Sequence, residues 1–140
     1  MPLEAILPKL QKAFSSGDAR AWADLYAEQA RLYHPFFPDP IKGREDIYKA
    51  EAPLFKAFSG YHFRWANYAT KDDLIAAECE MTATQTGDIL LPNGKKIPAS
   101  NKKMVLNVAE FWRITGTGEI ASDHRYFDTN SFFAQLGVKM

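Results

Sequence analysis

Four stretches in the second half of the chain set apolar side chains at every second residue: YHFRWANYAT from Tyr61, DLIAAECEMTATQT from Asp73, KKMVLNVAEFWRIT from Lys102 and EIASDHRYFD from Glu119. A period of two describes strands buried on one face and is incompatible with a helix. The segments between them, KDD, LPNGKK and TGTG, are turn chemistry, with Asn93-Gly94 and the Gly116/Gly118 pair suited to hairpins. The chain therefore has to build an antiparallel meander, and its first part has to supply what covers one face of that sheet.

That first part has a helical period. Apolar residues at 3, 6, 7, 10 and 14 form one stripe, with Pro8 either starting the regular helix or kinking it. SSGDARAWADLYAEQA restarts a helix, with Gly17 as a break, Asp18 as N-cap and Trp22, Leu25 and Tyr26 on one face. A third helix is expected from Gly43 to about Phe58, striped by Ile47, Leu54, Phe55 and Phe58 and distorted at Pro53. Between the second and third helices, Arg31 to Tyr33 read as the end of a strand that Pro35 forbids to continue, which leaves His34 where the strand opens into an aromatic, proline-rich loop. DTNSFFAQLG reads as a closing helical turn capped by Asp128 or Thr129. Helices first and strands after give an α+β fold, a curved sheet with helices on one face.

With 140 residues, 46% of them hydrophobic, the chain can bury one core, and a single domain over residues 1–140 is expected. Lysine plus arginine and aspartate plus glutamate both total 17, without a basic stripe, which argues against nucleic acid as a partner and leaves little self-repulsion to oppose association. Cys79 is the only cysteine, so there is no internal disulfide and no thiolate metal cluster, and a reducing compartment fits. Glu4, Pro8 and Lys9 interrupt any secretory core, and no later apolar run approaches the ~20 residues that span a bilayer, so a cytoplasmic protein without a membrane partner is expected. No paired histidine spacing suggests a metal, and no glycine-rich phosphate loop, serine elbow or Cys-His signature suggests a nucleotide cofactor or covalent hydrolysis. Neither metal nor cofactor is expected.

Strand parity then sorts side chains. Ile75, Ala77, Cys79, Met81 and Ala83 share the apolar face of their strand, and in the next the even set Met104, Leu106, Val108, Glu110 and Trp112 is the more apolar. That carries Glu110 inward among hydrophobic neighbours, where an isolated carboxylate costs several kcal/mol, on the order of what pairing, hydration or protonation must offset. In the last strand Asp123, Arg125 and Phe127 oppose Ser122, His124 and Tyr126, and the pattern alone does not choose between the two faces.

The order GDARAWADLYAEQARLYHP, IKGREDI opening a third helix, and a meander closing with YFDTNSFFAQLG resembles the SnoaL-like branch of the nuclear transport factor 2-like superfamily over nearly the whole chain. The resemblance implies a cystatin-like cone, with N-terminal helices packed on a strongly curved, mixed and mainly antiparallel sheet that encloses a pocket, and it implies a homodimer. Members include ketosteroid isomerases, limonene epoxide hydrolases and polyketide cyclases, so fold does not settle function. It also implies roles. His34, before Pro35 and KGRED, falls where ketosteroid isomerases hold their general base, and Glu110 where they hold a hydrogen-bonding acid. Leu10 replaces their oxyanion-hole tyrosine, and Arg125 stands where ester cyclases and limonene epoxide hydrolases carry a catalytic aspartate. The same alignment turns Asp123, Arg125 and Phe127 inward, which leaves His62 and His124 at the surface or an interface.

The expected function is that of a small-molecule pocket protein, read as a cofactor-independent isomerase, cyclase or lyase acting on a mainly apolar, carbonyl- or carboxylate-bearing ligand; the alternative is a non-catalytic binding or accessory protein. The candidate catalytic residues are His34, Glu110, Asp123 and Arg125. His34 would transfer the proton near neutral pH, or else simply cap the strand end. Glu110 would orient His34 or donate as a protonated acid, or else pair with Arg125. Asp123 and Arg125 would flank a polar ligand group, or else close a charge network with Glu110. Trp22, Tyr26, Leu32, Phe36, Phe37, Phe63, Trp65, Leu106, Val108, Trp112 and Phe127 are the candidate ligand-lining residues, with plain core packing as the alternative for the aromatic ones. The outward set Val105, Ala109 and Phe111 is apolar enough to suit a second copy of the chain.

Overall fold

The computed structural model describes residues 2–139. A 3-10 turn at Leu3–Ala5 leads into α1 (Ile6–Ser15), whose first turn accommodates Pro8 because N–H groups there need no helical partner. Pro8 thus lies within a regular helix start. Gly17 breaks the chain, and the Asp18 side chain accepts the Ala21 N–H to cap α2 (Ala19–Ala23).

The second helix is much shorter than the sequence suggests, since Tyr26–Tyr33 is strand β1. Alanine, glutamate and glutamine in AEQA favour helix locally, but Leu25 O accepts the Ile120 N–H and β1 runs parallel to the last strand, so tertiary pairing overrides propensity. A two-residue strand β2 (Ile41–Lys42) returns along β1, and Gly43 then turns into α3 (Arg44–Ala57) at φ +91°, a conformation that favours glycine, with its N–H on Ala30 O at 2.7 Å. α3 continues through Pro53.

The meander follows as β3 (Phe58–Lys71), β4 (Leu74–Gln85), β7 (Lys103–Ile114) and β8 (Ile120–Tyr126), with a separate hairpin of β5 (Ile89–Leu90) and β6 (Lys96–Ile97) between β4 and β7. The main sheet has the order β2-β1-β8-β7-β4-β3; only β1 and β8 are parallel. Register shifts in β3, between Ser59 and His62 and between Trp65 and Asn67, bend that long strand. Gln85, fully buried at the end of β4, anchors the β5–β6 excursion: its amide donates to Gly87, Ile97 and Pro98 carbonyls, and its oxygen accepts Ser100 N–H and O–H. α4 (Thr129–Gln135) closes the chain with Asp128 as its cap.

Parity holds on both central strands. Ile75 to Ala83 alternate inward along β4, and Met104 to Trp112 do so along β7. On β8 the inward set is Asp123 and Arg125, while His124 is half-buried and stacks on Tyr33. The outer face exposes Val105, Phe111 and Tyr126. Among the described residues no helix is long and apolar enough to cross a membrane.

Candidate functional site

The helices and the inner face of the sheet enclose a cavity of about 110 Å³. A single water needs about 10–15 Å³ measured this way, so the space suits several waters or a small organic molecule. Its walls are mostly apolar. β4 and β7 contribute Met81, Ala83, Met104, Leu106 and Val108, and aromatic rings come from the helices, the 34–40 loop and the chain after β8. Its polar residues are few: His34, Glu51, Tyr61, Thr82 and Arg125.

Arg125 is the centre of the charged end. Its Nε–H donates to Glu110 Oε1 at 2.7 Å, one Nη1–H to Glu51 Oε1, and its Nη2 group to Asp123 Oδ2 and Tyr26 Oη at 3.3 Å each. The Tyr26 hydroxyl donates to Asp123 Oδ2 at 2.6 Å. A guanidinium has five N–H groups, so one Nη1–H is left without a partner among the described residues, on a side chain that lines the cavity. The closed charge network and the pocket, alternatives in the sequence, therefore coexist. Glu110 and Asp123 are fully buried behind Arg125, outside the cavity lining.

Three carboxyls share this one guanidinium, and two of them, Glu110 and Glu51, have raised pKa values. Burial pushes the Glu110 pKa well above the usual carboxyl range, with Arg125 opposing and the hydrogen-bonded Asp123 carboxyl adding to the rise. Burial also raises Glu51, again against Arg125. Tyr26 moves up, first by burial and then by the charge of Asp123, and Arg125, despite burial, is held protonated by Glu110, Glu51 and Asp123.

His34 differs from expectation. Its Nδ1 accepts the Phe36 backbone N–H at 3.0 Å, because the loop turns back at Pro35. The neutral ring then carries its proton on Nε2. Burial, together with the positive charge of Arg125, lowers its pKa to about 2. The base expected from sequence is thus a neutral ring that lines the cavity and carries its hydrogen on Nε2. Nor does Glu110 orient it, since Glu110 is engaged with Arg125 and Asp123.

Of the expected ligand-lining residues, Trp22, Phe36, Leu106, Val108 and Phe127 line the cavity. Tyr26 belongs to the charge network, and Leu32 and Trp112 are fully buried core outside the lining. Phe63 packs on Phe14 and Trp65, Trp65 on Trp112, and Phe37 stands edge-on to His34, all outside the cavity wall. Phe36 packs against Phe127 and Phe132, closing the side of the cavity next to His34.

Glu51 is the residue that sequence reasoning missed. It sits one helical turn after Ile47 and one before Leu54 and Phe55, in the middle of the α3 stripe. The signal for it is a polar residue on an apolar stripe, the same kind of signal that marks Glu110 on β7.

Compared with known proteins, residues 9–122 match the model of the SnoaL-like domain. No curated protein matches the sequence. The structure is similar to TsrD from Streptomyces laurentii (TM-score 0.79, 20% identity, 98% of this chain and 96% of that one). It is also similar to a protein of ketosteroid isomerase-like fold from Catenulispora acidiphila, in complex with trimethylamine (0.77, 20%, 96% and 94%). A third similar structure is SalBIII, an epoxide hydrolase/cyclase-like enzyme of pyran ring formation in the polyether salinomycin (0.71, 18%, 92% and 92%). At these identities the likeness is one of fold.

Proposed function

The chain belongs to the SnoaL-like domain family, and on that premise we propose that its cavity binds a small, mainly apolar, uncharged molecule through a carbonyl oxygen and moves a proton on it without a cofactor, as an isomerase, cyclase or lyase does. The observation that carries this reading is that His34, Arg125 and Glu51, an acid of raised pKa, line one mostly apolar cavity, with the charge of Arg125 acting on both of the others. His34 Nε2–H and the unpartnered Arg125 Nη1–H would receive the carbonyl oxygen and the charge that develops on it. Glu51 would take and return the proton, because burial raises its pKa above the ordinary carboxyl value and so makes it a stronger base. Arg125 already faces three carboxyls, so a ligand carboxylate would add a fourth anion, and this favours a neutral ketone or enone over the carboxylate that the sequence also allowed.

The test needs no natural substrate. Small cyclic ketones and enones are incubated with the protein in deuterated water, and exchange of their α-protons is followed by NMR, alongside binding measured by thermal shift. The reading expects exchange with neutral ketones, a loss of at least tenfold in Glu51→Gln, and binding within tenfold of wild type in that variant, about 1.4 kcal/mol. Ketones that bind without exchange would leave a binding protein, in which the Arg125 contact simply holds Glu51 in place. Carboxylates that bind and ketones that do not would overturn the choice of ligand.

A further inference from the structure

The lining of the cavity has a direction. Glu51, Leu54 and Phe55 come from α3, with Phe58 just past its end, and Val108, Leu106 and Met104 come from β7. Two sets of bonds fix how these rows overlie each other. At one end Arg125 on β8 bonds both Glu51 and Glu110, its register partner on β7. At the other, Phe58 pairs with Gln85 at the end of β4, and Ala83, on the same inward face of β4, pairs with Met104. Glu51 therefore lies over the Val108 end of the β7 row, and Phe58 over the Met104 end. A helix rises 1.5 Å per residue and a strand about 3.4 Å, so the lining runs for about 10 Å along α3 and about 13 Å along β7.

Polarity changes along that direction. Glu51 and Arg125 stand at the first end, and so does His34, which follows the pairing of Tyr33 with His124, the neighbour of Arg125. The walls of the other end are Phe58, Ala83, Met104 and Phe132, with the two rings 6.1 Å apart. Tyr61 commits its hydroxyl to the Phe55 carbonyl, and Thr82 has the outward parity of β4, opposite the exposed Val105. Neither offers a ligand a second polar anchor. The volume of about 110 Å³ is therefore drawn out and slender; a compact cavity of roughly 150 Å³ is what receives a single benzene ring.

We propose that the cavity receives an unbranched alkyl ketone lengthwise, its carbonyl at the Arg125 end and its tail along β7, and that Met104 sets the longest tail accepted. This rests on the reading of the polar end as a carbonyl site, though not on proton transfer there. A methyl ketone matches the asymmetry: its short side meets the charged end, and its long side runs over Val108 and Leu106. Met104 suits an end wall, because an unbranched, polarizable side chain adjusts to what packs against it.

Binding of a series from methyl ethyl ketone to methyl octyl ketone is measured by thermal shift on the wild type, Met104→Ala and Met104→Phe, and exchange of α-protons is followed on the same samples. Each added methylene should tighten binding about threefold to fourfold until the tail reaches Met104, after which affinity should stop rising. Met104→Ala should move that limit to longer tails and Met104→Phe to shorter ones, and the second variant decides the matter if alanine loosens the fold. Methyl butyl ketone should bind at least tenfold tighter than methyl tert-butyl ketone, an isomer whose carbons are gathered beside the carbonyl. Equal affinities for the two isomers, no gain with chain length, or a limit that stays in place in the folded variants would overturn the proposal, even where exchange shows that the site transfers protons. A limit that moves with residue 104 while no α-proton exchanges would uphold it and leave the catalytic reading to fail alone.

Discussion

His34 Nδ1 accepts the Phe36 backbone N–H at 3.0 Å, a bond made within three residues that decides what the imidazole can do. A ring that must keep Nδ1 free of hydrogen cannot be protonated without breaking that bond, and burial next to Arg125 works in the same direction.

The first prediction concerns pH. The unfolded His34 takes up its proton near pH 6.5, the folded one only near 2, so between these values the unfolded state binds more protons. His34 therefore contributes stability that is fully present above pH 6.5 and is lost on acidification, by up to about 1.4 kcal/mol per pH unit. Glu51 and Glu110, raised in the folded state, act with the opposite sign above their unfolded values. Urea unfolding at pH 7.5, 6 and 5 should show the wild type losing stability on acidification relative to His34→Gln. Long-range proton–nitrogen NMR should find the His34 ring neutral, with its hydrogen on Nε2, down to pH 5. A ring that titrates near 6.5 would refute the tautomer assigned here.

Arg125→Met should destabilise the fold by about 3–5 kcal/mol, because it strands buried acids without their cation. Arg125→Lys should recover little of this, since one ammonium cannot direct separate donors to Glu110, Glu51, Asp123 and Tyr26. Denaturant midpoints of the two variants provide the comparison. A lysine variant as stable as wild type would mean that charge alone matters there.

Ala83 lies on β4 with its methyl group in the cavity wall. Ala83→Leu should fill part of the empty volume, keep or raise stability by about 1 kcal/mol and abolish ligand-induced thermal shifts. Retained binding in this variant would place the ligand elsewhere.

Gln85→Ala removes the side chain that ties the β5–β6 hairpin to the end of β4. Roughly 3 kcal/mol of stability should be lost, since the buried carbonyl of Ile97 and the partly buried one of Pro98 lose a donor. Limited proteolysis should cut within residues 86–101 first. The hairpin contributes nothing to the cavity lining, so ligand binding by the variant that remains folded should equal that of wild type.

Much of the architecture was legible because a period of two leaves few choices. The even parity of β7 was enough to turn Glu110 inward, and the turn residues at Asn93-Gly94 and Gly116/Gly118 fell between strands. The end of α2 was not legible, because what stops that helix is pairing with Ile120, almost a hundred residues away. The two residues of β2 carry no period at all. At the site, His34 was located correctly, but its chemistry depends on a backbone N–H two residues on, and no alternation pattern records which nitrogen accepts it. Glu51 escaped because the α3 stripe was traced through its apolar members alone.

The parallel pairing of β1 with β8 also sets a timetable for folding. Tyr26 and Glu51 leave the ribosome long before Arg125, whose guanidinium their side chains meet, whereas Glu110 precedes it by 15 residues. Contacts this distant along the chain close slowly. Until β8 slots between β1 and β7, the nascent sheet lacks its central strand, and β1 and β7 present open edges to any other chain nearby. The step that completes the charge cluster is therefore the same step that seals the sheet, and a chain stalled before β8 should be the aggregation-prone species in its biogenesis.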